Sequence, residues 1–64
     1  MEYTVHYQKG WKVGTRSLRL IQVQAETPEQ AIKAAKKQWH VEPKYRLVRV
    51  DHFDQDGHLV RDIG

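Results

Sequence analysis

The sequence predicts a small α+β domain of the order ββαββ: one four-stranded, mainly antiparallel sheet with a single helix packed on one face. Three observations predict it. Residues 1–8 alternate apolar and polar, Thr27-Pro28-Glu29-Gln30 opens the only helical pattern, and Asp54-Gln55-Asp56-Gly57 reverses the chain between two further β-rich stretches.

In the first strand, about 2–9, Met1, Tyr3, Val5 and Tyr7 alternate with Glu2, Thr4, His6 and Gln8, the period-two pattern of a strand with one buried face. Gly10 and Gly14 bracket a loop that turns the chain into a second strand, about 15–25. There the apolar positions change parity, from Leu18 and Leu20 to Ile21, Val23 and Ala25. A β-bulge near Leu20 and Ile21 would restore a single face. The alternative is a strand covered on both sides, by the helix and by a second subunit.

The helix is expected over about 28–40. Thr27 and Gln30 form a capping box, and Pro28 falls at the first helical position, where its missing N–H costs nothing. Pro28, Ala31, Ile32, Ala35 and Trp39 line one stripe, which makes Ile32, Ala35 and Trp39 core, while Lys33, Lys36 and Lys37 face water. Pro43 forces Glu42 out of helical geometry, so the helix ends between Trp39 and Val41. The third strand, about 45–53, has apolar residues on both parities, as a central strand does, and the fourth follows at about 58–63. Strand order 2-1-3-4 is preferred because the third strand is more apolar than the fourth; order 2-1-4-3 would be the β-grasp arrangement. One helix covers one side of the sheet, so function is sought on the other.

With 64 residues, 39% of them apolar, the chain reads as one thin-cored domain over 1–64. It has no cysteine, no apolar run long enough to span a membrane and no signal-peptide pattern, so it reads as a soluble, cytoplasmic protein. The net charge of +3 is uneven: residues 1–50 hold ten basic and four acidic residues, and 51–64 hold one and four.

No nucleophile elbow, phosphate-binding glycine loop or thiolate ligand set is present, so enzymatic activity, a cofactor and a small-molecule substrate are not expected. His52, Asp54, Asp56 and His58 crowd one turn, but turn chemistry accounts for Asp54, Asp56 and Gly57, and the glutamate that would close a calcium loop is missing. His52 beside Asp51 is the one Asp–His neighbour pair, and so small a chain offers little concavity to use it.

The basic residues carry the functional reading. Arg16, Arg19, Arg46, Arg49 and Arg61 lie in predicted strands or at their edges, and arginine's planar fork suits carboxylates and phosphates. If Arg19, Arg46 or Arg49 project opposite the helix with His6 and Thr4 nearby, they make a cationic platform; the alternative is a solvated sheet surface whose arginines pair with Glu2 and Asp51. Trp11, between Lys9 and Lys12 at the hairpin tip, would anchor in a partner's pocket or stack on a base. The favoured expectation is a small regulatory or inhibitory module that docks on a protein partner, or on a second copy as a homodimer, through its open sheet face or an edge. The alternative is nucleic-acid binding by the strand arginines and Lys9 to Lys12, without the RNP, KH or helix-turn-helix signatures of known DNA or RNA binders.

Overall fold

The computed structural model describes residues 1–10 and 17–64. Five elements follow in the order β1 (Glu2–Lys9), β2 (Ser17–Gln24), α1 (Pro28–Gln38), β3 (Tyr45–Phe53) and β4 (Leu59–Ile63). They form one antiparallel sheet, β2-β1-β3-β4, with α1 on one face. This is the preferred order rather than the β-grasp one.

α1 begins as its sequence dictates. Thr27 is extended, its hydroxyl accepts the Gln30 amide at 3.1 Å, and Pro28 follows at once. Gln30 reaches back one residue further than a capping box requires: its side-chain oxygen accepts the Glu26 amide at 3.2 Å. The helix stops at Gln38, short of His40, because Trp39 turns extended (φ −139, ψ 116) while its N–H still donates to Ala35 O at 2.9 Å. That turn lays the indole edge-on against Tyr7 and Tyr45, at ring separations of 5.3 and 5.0 Å. Trp39 is therefore a half-buried lid on the core's end rather than its centre, and Ile32 is likewise only partly buried.

The core lies between α1 and one face of the sheet. Tyr3, Val5, Tyr7, Ile21, Val23 and Val50 point up from the strands, and Ala31 and Ala35 point down with no exposure. Two alanines at the contact let the helix approach closely, and among the described residues eight buried hydrophobic side chains form the apolar centre, with partly buried neighbours such as Ile32 and Ile63 packed against it.

No bulge occurs at Leu20 and Ile21; β1 and β2 pair without a register shift from Glu2↔Gln24 to Lys9↔Ser17. Ile21 and Val23 face the helix, so Leu18 and Leu20 face away and are 68% and 56% exposed. The irregularities are elsewhere. His6 pairs with Arg49 and Tyr7 with Leu47, leaving Val48 as an extra residue in β3; Val50 pairs with Ile63 and Asp51 with Arg61, leaving Asp62 extra in β4. The first bulge explains the apolar residues on both parities of β3. It brings Leu47 and Val50, three apart, to the helix face and Arg46 and Arg49 to the other.

Between β3 and β4, the Gly57 amide donates to Asp54 O at 3.0 Å, and Gly57 adopts φ 82, where a side chain would be strained. Among the described residues no helix is long and apolar enough to cross a membrane.

Candidate functional site: the open sheet face

Strand alternation and the pairing registers place Thr4, His6, Gln8, Leu18, Leu20, Gln22, Arg46, Arg49, Asp51, Phe53, Leu59 and Arg61 on the face away from α1. Among the described residues no element covers this face, yet Asp51 at its centre is only 3% exposed. Neighbouring side chains bury it. Arg49, two residues back on β3, brings Nε to 2.7 Å from Asp51 Oδ2, and His6 on β1 brings Nε2 to 3.0 Å from the same oxygen.

A carboxylate this far from water is tolerable only with a cation against it, and the guanidinium supplies one. These are close ion-pair contacts rather than directed hydrogen bonds. Asp51 Oδ2, Arg49 Nε and His6 Nε2 are all buried, and none meets a partner at hydrogen-bonding angles among the described residues. The triad thus fixes Arg49 and His6 in place, with no nucleophile among them.

Around this charged centre the face is apolar at two diagonal corners. Leu18 and Leu20 stand at one end of β2, and Phe53 and Leu59, 66% and 52% exposed, flank the turn at the opposite end of β3 and β4. A shallow depression of about 350 Å³ lies between, lined by His6, Leu18, Val48, Arg49, Arg61 and Gly64.

The sequence-predicted residues divide. His6, Arg46 and Arg49 reach this face, Arg46 opposite Gln8. Arg19 does not: it shares parity with Ile21 and Val23, lies on the helix face, and holds its guanidinium 5.2 Å from the Trp39 ring centre. Lys9, expected at the hairpin tip, ends β1 with Nζ 5.8 Å from the Tyr45 ring centre, beside a second shallow depression formed with Glu42, Pro43 and Lys44. Trp11, Lys12 and Arg16, and with them the hairpin tip, lie outside the described residues.

The sequence predicts Asp51 as a surface partner for the strand arginines; the structure pairs it with Arg49 but buries it at the centre of the face. Its parity, shared with Arg49 and opposite to buried Val50, was the available signal for its face. That same parity separates it from its neighbour: His52 points to the helix side, edge-on to Tyr3 at 5.3 Å, with Nδ1 2.6 Å from Asp62 Oδ2. Asp51 and His52 therefore make no pair.

Asp54, Asp56 and His58 do bring ligand atoms within 4.8 Å of one another. Turn bonding engages one of those side chains, since Asp54 Oδ1 accepts the backbone amides of Asp56 at 2.9 Å and His58 at 2.8 Å, and all three residues lie at an exposed turn where acidic groups gather without an ion. Compared with protein families, with curated proteins and with solved structures, the chain finds no match.

Proposed function

We propose that this protein is a non-enzymatic binding module of the cytoplasm that docks on a protein partner through its open sheet face. One observation carries the reading: four large apolar side chains, Leu18, Leu20, Phe53 and Leu59, stand exposed around a buried, internally neutralised charge centre. Exposed hydrophobic residues at the corners are what a partner can desolvate, and residues held rigid by Asp51 lose little freedom on binding.

Nucleic-acid binding has less support. Arg49 is engaged by Asp51, and Arg19 lies on the opposite face over Trp39.

The test is capture from a host lysate with wild type, Phe53→Ser and Arg61→Glu, both at exposed positions. A protein band lost with either variant supports the reading. Identical bands with all three would refute it, and a nuclease-sensitive capture would transfer the face to nucleic acid.

A further inference from the structure

The two edges of the sheet differ. β4 is five residues long, is bulged at Asp62 and carries Arg61 and Asp62, the devices by which proteins make an edge unfit for pairing. β2 has none of them. It is eight residues long, regular throughout its pairing with β1, free of proline and lysine, and its single charge, Arg19, is held over Trp39. Its outer row of main-chain groups is a template for another strand.

Which groups point outward follows from one bond. The Ala25 N–H donates to Met1 O at 3.0 Å, extending the register in which Glu2 faces Gln24. Hydrogen-bonded pairs recur every second residue in an antiparallel ladder, so Val23, Ile21, Arg19 and Ser17 turn their amides to β1. Leu18, Leu20, Gln22 and Gln24 then turn theirs to the free edge, and these are also the exposed positions of β2 on the open face.

We infer that β2 pairs with β2 of a second copy, antiparallel about a two-fold axis through Leu20, joining two sheets into one of eight strands. The copy is the favoured occupant because an antiparallel edge is self-complementary and the one charge this strand brings near the axis, Arg19, is drawn back over its own Trp39 on the helix face. Centring on Leu20 sets Leu20 against its own copy, Leu18 against Gln22 and Arg19 against Ile21, so that no arginine meets its equivalent and the leucines cluster across the seam. A chain of 64 residues also has the most to gain from added burial. This pairing uses the edge and does not depend on the face having a partner.

Sedimentation equilibrium of the whole chain should give twice its 7.6 kDa mass at high concentration. Amide exchange of the same samples should show Leu18, Leu20 and Gln22 protected along with Arg19 and Ile21, which β1 already protects. Leu20→Lys opposes two ammonium groups across the axis and should weaken the dimer about tenfold or more while leaving circular dichroism unchanged; Gln22→Lys, remote from the axis, serves if the first variant misfolds.

A monomer at every concentration would overturn the inference, as would a dimer whose Leu20 amide exchanges freely. Protection that appears only on adding a lysate protein would assign the edge to a foreign strand and overturn it equally. The face reading is tested separately, by variants on β3 and β4, and a dimer that covers Leu18 and Leu20 would leave Phe53 and Leu59 as its exposed apolar residues.

Discussion

Asp51 and Arg49 are locked together on β3 at 2.7 Å, with the carboxylate buried on a face that no helix covers. Neither residue is comfortable alone. Arg49→Met leaves Asp51 with only His6 against it and should destabilise the fold by about 2–3 kcal/mol, below the usual figure for a broken buried pair because the arginine is itself one-third exposed. Adding Asp51→Leu to that variant should recover most of the loss, since an apolar pair needs no compensation. Urea melts of the two single variants and the double variant check this, and additive losses would contradict it.

How far these relations could be read from the sequence depends on their range. The start of α1 was legible because Thr27, Pro28 and Gln30 act on one another within a turn. The strand order was legible because the apolar excess of β3 over β4 reflects a central position. Arg19 was not, because Leu18 with Leu20 and Ile21 with Val23 are equally apolar sets, and only the packing of α1 decides which set turns inward. Asp51 required more still: the bulge at Val48 is what sets Arg49 opposite His6, and no local propensity marks it. Asp51 was nameable as a partner for the strand arginines, whereas its burial and its pairing with Arg49 in particular were hidden in the register.

Trp39 joins helix end, sheet and Arg19, so its truncation should be felt in all three. Trp39→Ala should cost about 3 kcal/mol through the lost edge-on contacts with Tyr7 and Tyr45. Arg19→Ala removes only an exposed cation over the ring and should cost about 0.5–1 kcal/mol while shifting tryptophan emission. An unshifted spectrum would show that the guanidinium does not rest there in solution.

The cap predicts a smaller and more local effect. Thr27→Ala removes the acceptor for the Gln30 amide and should cost about 1 kcal/mol, with Thr27→Ser restoring most of it. Thermal melts followed at the helical band test the pair, and equal losses for alanine and serine would show that the methyl group rather than the oxygen matters.

The last prediction concerns Tyr7, which is 2% exposed and whose hydroxyl finds no hydrogen-bond partner among the described residues. Burial raises its pKa above the ordinary value of 10.0. Burial, followed by the charges of Asp62 and Glu29, does the same for Tyr3. The sign follows from linkage. Well below pH 10 both tyrosines are neutral whether the chain is folded or not, and stability does not depend on them. As pH rises through the unfolded value, the unfolded chain ionises first, so stability falls and continues to fall until the raised folded values are reached. The phenolate absorbance of the native protein should therefore lag behind that of the chain in urea, and thermal stability should drop above pH 10. Tyr7→Phe removes the unpaired hydroxyl while keeping the ring against Trp39, so it should raise stability at neutral pH by up to about 1 kcal/mol and remove part of the alkaline loss. Tyr3→Phe loses only a long bond to Glu26 O, 3.5 Å, and should be nearly neutral below pH 10. A destabilised Tyr7→Phe would mean that the hydroxyl has a partner in solution, a bound water being the simplest.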